Sequence, residues 1–134
     1  MSAKSLMLLR NTFFSALGVI LASYGVMVLA SGRPDPFWPL APALAGVITA
    51  LVVSLGVWLA GRKTAAVAFD EYSRHEWHSS LRLGFWVAIW LYPLFAVLLV
   101  NNIVDYPQAF AAMGTLAAAT PFLSFFAKWV GGRI

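Results

Sequence analysis

The sequence contains no cysteine and few charged residues, and both absences exclude whole classes of protein. Without a thiol the chain can hold no disulfide, no thiolate zinc or iron–sulfur centre and no cysteine nucleophile. Only 10% of its 134 residues are charged and 61% are hydrophobic, whereas soluble domains average about 25% charged. A small soluble fold buries only about 60–70% of its surface and could not hide so much apolar side chain. The composition therefore predicts an integral membrane protein.

Four stretches without ionisable side chains are long enough to cross a bilayer, which takes about 20 helical residues. They lack the strict alternation of membrane-barrel strands, so we expect helices, in which backbone hydrogen bonds are internal. We predict one all-α membrane domain, a four-helix transmembrane bundle. Its spans are approximately residues 11–32, 38–61, 82–103 and 106–128, with a cytoplasmic helical hairpin at 62–82.

The basic residues predict the orientation of these spans. Only Arg33 lies between spans one and two. The other eight flank the spans on the opposite side: Lys4, Arg10, Arg62, Lys63, Arg74, Arg82, Lys128 and Arg133. The positive-inside rule then places both termini in the cytoplasm, and we expect a bacterial inner membrane. The first apolar run exceeds the core of a secretory signal, so we expect it to remain as a span.

Small residues predict the faces at which these helices approach closely, because helices in lipid associate through van der Waals contact. Span three is rich in aromatic residues and is predicted to be the bulky partner of the other three. The predicted close-contact faces are Ser15, Gly18, Ala22 and Gly25 in span one; Gly46, Ala50 and Ser54 in span two; and Ala111, Thr115 and Ala119 in span four.

The connection between spans two and three holds both histidines and three of the five acidic residues. We predict one helix from about Asp70 to about Asn101, which at ~48 Å exceeds the ~30 Å hydrocarbon core. Its first three turns are therefore expected to protrude into the inner interface or the cytoplasm. This is the helical cytoplasmic extension of the predicted fold.

The protruding turns carry the candidate site of the sequence. One helix face holds Glu71, His75, His78 and Arg82, and a neighbouring stripe holds Asp70, Arg74 and Trp77. The residue types favour a solvated helix end with ion pairs between residues four apart. A surface that docks a partner protein is the second interpretation, because it mixes tryptophan, arginine and histidine. A zinc site is the third; its spacing is permissive but matches no zinc motif, and we predict no metal.

A second candidate surface is the aromatic wall of span three. Trp86, Trp90, Tyr92 and Phe95 are candidates for contact with lipid or an apolar ligand such as a quinone or pigment. Packing or lipid contact is the favoured interpretation, because lipid-facing surfaces must be apolar. We predict no cofactor.

Apart from Arg82 and Lys128 at their very ends, the predicted spans contain no Asp, Glu, Lys, Arg or His, which argues against proton relays and ion-coupled transport. In size and helix number the chain is similar to the small multidrug-resistance exporters, but it lacks the acidic residue of their first helix. The resemblance therefore ends at hydropathy. No hydrolase or nucleotide-binding motif is present, and the basic residues are scattered at membrane edges, so no nucleic-acid partner is expected.

These observations lead to a non-catalytic hypothesis: a small accessory, assembly or scaffolding subunit of a larger membrane complex, for example a respiratory or photosynthetic one. Its expected partners are the lipid bilayer and other membrane subunits or a second copy of itself. The alternative is a small dimeric transporter or channel for an uncharged or lipophilic substrate. That alternative predicts a polar cavity near Tyr92, Asn101 and Thr115. A membrane enzyme that uses His75 and His78 comes third.

Overall fold

Residues 1–132 are described by a computed structural model of the chain, and within that range they form four helices and no strand. The helices are α1 (Ala3–Ser31), α2 (Ala41–Ala68), α3 (Glu71–Val100) and α4 (Tyr106–Val130). Each is long and apolar enough to cross a membrane. The predicted all-helical fold with four candidate membrane spans is confirmed. Arg133, one of the basic residues used for the predicted orientation, lies outside the described residues.

Side chains set the starts of three helices by accepting otherwise unpaired backbone N–H groups. The Ser2 side chain accepts from Ser5, that of Asp70 from Ser73, and that of Asp105 from Gln108. The start of α3 agrees with the sequence prediction to within one residue. The start of α1 does not, because no helix breaker separates the Ser2 cap from the predicted span at residue 11.

Helix α2 is interrupted at Gly61, whose φ of 78° and ψ of 162° are accessible to glycine and strained for other residues. The chain turns back at this point, and we call residues 62–69 the return arm. The arm lies against the end of α2, with which it forms one groove. That groove is lined by Ser54, Val57, Trp58, Gly61, Arg62, Ala65, Ala66, Phe69 and Arg74.

The four helices form an open row in the order α2, α1, α4, α3, because α1 packs on both α2 and α4 and α3 packs on α4. Two apolar clusters lie along the row. One contains Tyr24, Val28, Phe95, Val104, Ala109 and Ala112; the other contains Leu17, Leu21 and Ala119. Helices α2 and α3 therefore stand at the two ends of the row.

The α1–α4 contact uses the small residues that the sequence predicted for α1. A Cβ atom added at Gly18 would lie 2.9 Å from Phe122 Cβ, and one at Gly25 would lie 2.8 Å from Thr115 Oγ1. Ser15, Gly18 and Gly25 are buried, and Ala119 of α4 is 1% exposed. Close backbone approach therefore decides this contact.

The predicted contact face of α2 is wrong for packing within the chain. Ala50 and Ser54 are exposed, and a Cβ atom added at Gly46 would meet nothing within 4 Å. Helix α2 buries Thr49 and Gly56 instead. Small and bulky residues alternate around α2, so several of its faces could pack against a neighbouring helix. Only the tertiary structure selects the face that does.

Helix α3 is a bulky partner in its second half only. In its first half it approaches α4 through small residues: a Cβ on Gly84 would lie 2.8 Å from Pro121 Cδ, and Ser80 Oγ donates to Ser124 Oγ at 3.2 Å. Both Pro93 and Pro121 lie inside continuous helices.

The first turns of α3 are helical, as predicted, and they lie beside the last turns of α4; their protrusion from the bilayer stays a prediction. Lys128 Nζ lies 3.0 Å from Glu76 Oε2 and also donates to the Glu76 carbonyl at 3.0 Å, which fixes this part of α3 beside the last turns of α4. The ring of Trp77 packs against Phe14 of α1. These first turns therefore pack on α1 and α4 through Glu76 and Trp77.

Candidate functional site

The most unusual side chain of the structure is Arg10, a buried cation in the third turn of α1. It is 3% exposed. Its Nε donates to Asn11 Oδ1 at 2.9 Å, and its Nη1 donates to the Ala68 carbonyl of the return arm at 3.1 Å. Its Nη2 is buried and has no hydrogen-bond partner among residues 1–132.

Two aromatic rings enclose the Arg10 guanidinium. Its central carbon lies 4.9 Å from the ring centre of Phe69 in the return arm and 5.3 Å from that of Phe125 in α4. Both distances fall within the range of cation–π attraction. The rings stabilise the cation, but they supply no acceptor for its remaining N–H groups.

A cavity of about 200 Å³ lies beside Arg10, where α1, α3, α4 and the return arm meet. Arg74, at its edge, is exposed, whereas Ser73 is buried. The walls are mainly aromatic. The lining residues are Arg10, Phe14, Phe69, Ser73, Arg74, Trp77 and Phe125.

Asp70 is the acidic residue whose charge acts on Arg10. Hydrogen bonds from the backbone N–H and the hydroxyl of Ser73 lower the pKa of the Asp70 carboxyl below its ordinary value, and the Arg10 charge acts in the same direction. The carboxylate thus balances part of the local positive charge. It is held as the cap of α3, at 2.8 Å from the Ser73 N–H, and does not accept from Arg10 Nη2.

Trp77, one of the predicted docking residues, belongs to the wall of this cavity. Its ring centre lies 5.0 Å from Phe14, 5.5 Å from Phe122 and 5.6 Å from Phe125. These separations are those of packed aromatic pairs. Trp77 therefore turns inward and contributes to packing between three helices.

The remaining residues of the predicted docking face are accessible at the surface. Glu71, Arg74, His75, His78 and Arg82 are all exposed. In residues 1–132, no three His, Asp or Glu side chains come together in a way that could hold a metal ion. The structure thus leaves this face accessible, and its docking role stays a prediction.

The predicted aromatic wall of span three divides into two parts. Trp86, Trp90 and Tyr92 are exposed, at 53%, 71% and 71%, as residues that contact lipid would be. Phe95 is only 3% exposed and belongs to the cluster of Tyr24 and Val28. Phe95 is therefore a packing residue.

The three residues predicted to line a transport cavity do not meet. Tyr92 lines an apolar groove between α3 and α4. Thr115 Oγ1 donates to the Ala111 carbonyl of its own helix at 2.7 Å and contacts Gly25. The exposed Asn101 donates to the Val97 carbonyl. These positions give the transporter alternative no geometric support.

Sequence reasoning missed the burial of Arg10, because it placed this residue just outside span one. The Ser2 cap and the uninterrupted run to residue 11 are the local signals that extend α1 around it. Its burial also needs Phe69 and the Ala68 carbonyl, which come from 58 residues further along the chain. No local pattern could have shown that the return arm folds over Arg10.

A second feature is the groove between the return arm and α2, which we call the α2–arm groove. Its volume is about 520 Å³. Ser54 lines it, and Gly46 and Ala50 continue the line of small residues along α2. Arg62 and Arg74 place two positive charges at its other end.

Comparison with protein-family models, with curated proteins and with solved structures gives no match for this chain. The geometry described above therefore carries the functional inference.

Proposed function

We propose that this protein is a small, non-catalytic accessory or assembly subunit of a larger membrane complex, and that α2 receives a transmembrane helix of another subunit. The observation that supports this is the line of small residues formed by the half-buried Gly46 and the exposed Ala50 and Ser54. Small residues at four-residue spacing let helix backbones approach closely in lipid. Within the chain this line contacts nothing at Gly46 and leaves Ala50 and Ser54 exposed.

The surface of α2 separates three faces. Thr49 and Gly56 face α1. The small line lies roughly 100° around the helix from them, at 3.6 residues per turn. The next face carries bulky residues that suit lipid, including Leu51 and Leu55, each 57% exposed.

Positive charge at one end of the α2–arm groove indicates that the partner helix carries negative charge at the same level. Arg62 and Arg74 both line the α2–arm groove. They favour a helix carboxyl end or an acidic side chain at that level, since both are negative. The exposed face of Glu71, His75, His78 and Arg82 provides a second surface for the same partner.

Under this proposal the end of the helices that carries Arg62 and Arg74 is cytoplasmic, as are both termini. The host membrane is a bacterial inner membrane. A respiratory or photosynthetic assembly is an example of the complex.

The proposal is tested by purifying the tagged protein from its own membranes in a mild detergent. Ala50→Trp should remove a stoichiometric partner subunit, because the indole fills the space that the partner helix needs. Leu55→Trp, on the bulky face, is the matched control and should retain it. A photo-crosslinker at position 50 should link the same partner.

Recovery of the unmodified chain as a lone monodisperse particle would overturn the proposal. Crosslinking at position 50 only to a second copy would also overturn it and would identify a homodimer instead. Equal loss of the partner from the Ala50 and Leu55 variants would exclude the small line as the docking face.

A further inference from the structure

The buried Nη2 of Arg10 has no hydrogen-bond partner among residues 1–132, and this points to a ligand. We infer that the cavity beside Arg10 binds a phosphate group, and that the source is the headgroup of an anionic phospholipid. This goes beyond the proposed subunit function, because it concerns the chain alone and needs no partner protein.

The first step is the cost of the buried cation. Removing a charge from water is expensive unless it is paired and hydrogen-bonded. Arg10 is 3% exposed, and its Nη2, which carries two N–H donors, has no acceptor. Asp70 is committed to Ser73 as the cap of α3. An acceptor that carries negative charge would satisfy both the hydrogen bonds and the charge.

The second step is the choice of anion. A guanidinium presents its donors in a planar fork that suits phosphate. Arg74 lines the same cavity from its exposed edge, so two arginines line the space, and Asp70, whose charge acts on Arg10, is committed to Ser73 nearby. Their formal charges sum to +1, which complements the single charge of a phosphodiester.

The third step is the source of the phosphate. A volume of about 200 Å³ corresponds to about six or seven waters at ~30 Å³ each, enough for a phosphate and the first carbons of its esters. The aromatic walls are Phe14, Phe69, Trp77 and Phe125, and tryptophan among them favours the level of lipid headgroups. The cavity lies near those ends of the helices that carry most of the basic residues. A lipid can place its headgroup there while its acyl chains remain along the helices.

The experiment measures lipid retention by the purified wild-type chain with native mass spectrometry. Micelles are supplied with phosphatidylglycerol or, separately, with phosphatidylcholine. We expect selective retention of phosphatidylglycerol, and Arg10→Gln should weaken it about tenfold, the equivalent of one charge-assisted hydrogen bond. Arg74→Gln should weaken it about threefold, because an exposed charge contributes less. Arg82→Gln is the matched control on the same helix and should change nothing.

Inorganic phosphate distinguishes the two sources of the group. Displacement of the lipid only by a large excess of inorganic phosphate would support the lipid source, whereas retention of inorganic phosphate in preference to phosphatidylglycerol would keep the phosphate site and reject the lipid. Equal retention of both lipids by the wild type, together with no effect of inorganic phosphate on its thermal unfolding, would overturn the inference. Loss in Arg82→Gln equal to that in Arg10→Gln would also overturn it, because general surface attraction would then suffice.

Folding of the Arg10 variant is checked by its helical circular dichroism and its thermal unfolding. If Arg10→Gln does not fold, Arg74→Gln decides, since Arg74 is exposed and its loss leaves the packing intact. Unchanged lipid retention by Arg74→Gln would then count against the site.

Discussion

Helix α1 packs on a neighbour along each side, and the two contacts differ in kind. Toward α4 the contact is continuous, from Phe14 beside Phe125 to the Val28 carbonyl, which accepts from Gln108 Nε2 at 3.2 Å. Toward α2 it is sparse, and before its return arm α2 buries only Thr49 and Gly56, where α1 buries ten residues. In lipid, apolar composition does not itself bring helices together, so shape and polar contacts decide which neighbours pack closely. The difference separates a structural centre, α1–α4, from an outer helix that remains available.

The largest expected effect comes from truncating the centre. Phe125 is 1% exposed and contacts Arg10, Phe14 and Trp77. Phe125→Ala should lower the free energy of unfolding by about 3 kcal/mol, the low end for a buried phenylalanine, because lipid solvates the ring as well as the interior does. Denaturant titration in micelles measures it. The same truncation at Phe110, which is 79% exposed, should have little effect; equal losses would mean that the centre is not specially packed.

The next effect distinguishes two glycines. Gly18→Leu should lower the unfolding free energy by about 2 kcal/mol, because a Cβ there already meets Phe122 and the backbone of Leu123. Gly46→Leu on α2 meets open space and should stay within about 0.5 kcal/mol of the wild type. Thermal unfolding of both variants gives the comparison. A destabilised Gly46 variant in the purified chain would show that α2 packs more closely than its exposure indicates.

A smaller effect is expected at the α3–α4 ion pair. The side chains of Lys128 and Glu76 are 15% and 16% exposed. Lys128→Met should therefore lower the free energy of unfolding by an amount between the ~1 kcal/mol of an exposed ion pair and the ~3 kcal/mol of a buried one. Lys63→Met, an exposed lysine of the return arm, is its control. Proteolysis of the 71–82 segment should accelerate in the Lys128 variant only. Identical behaviour of the two variants would show that the pair does not hold α3 in place.

The smallest effect is the acid dependence of the Asp70 cap. Because the pKa of this carboxyl is lower in the folded protein than its ordinary 3.8, its stabilisation is present above that value and is lost as the pH falls through the folded pKa. Asp70→Asn should remove this dependence of stability on pH, because asparagine still caps α3 but does not ionise. Asp70→Ala removes the cap and should lower the free energy of unfolding by about 1 kcal/mol at neutral pH. Unfolding measured across the acid range tests both. An unchanged acid dependence in Asp70→Asn would assign it to other groups.

Much of the fold could be predicted because its signals are local. Runs without charge predict the four spans, Asp70 predicts the start of α3, and Gly18 with Gly25 predicts the inner face of α1. The Gly46–Ala50–Ser54 line shows the limit, since the same spacing on α2 is not used within the chain. Spacing indicates where a close contact is feasible, but it does not say which neighbour makes it.

The candidate site could be predicted only in part. Arg74 and Trp77 were singled out as one stripe, and both line the cavity. Arg10 and Phe69 were not, because their roles depend on each other across 59 residues. The protrusion predicted for α3 stays a prediction, because helix length indicates how far a segment can extend but not where the bilayer surface lies.

The order of residues alone determined that this chain is helical, that four of its segments can cross a bilayer, and where three of the helices begin, because backbone hydrogen bonding and side-chain caps act within a few residues. Only the tertiary structure decided which faces pack, and it alone enclosed an arginine between Phe69 and Phe125. The physical reason is that burying a charge depends on the groups that surround it in space, and these come from three separate parts of the chain.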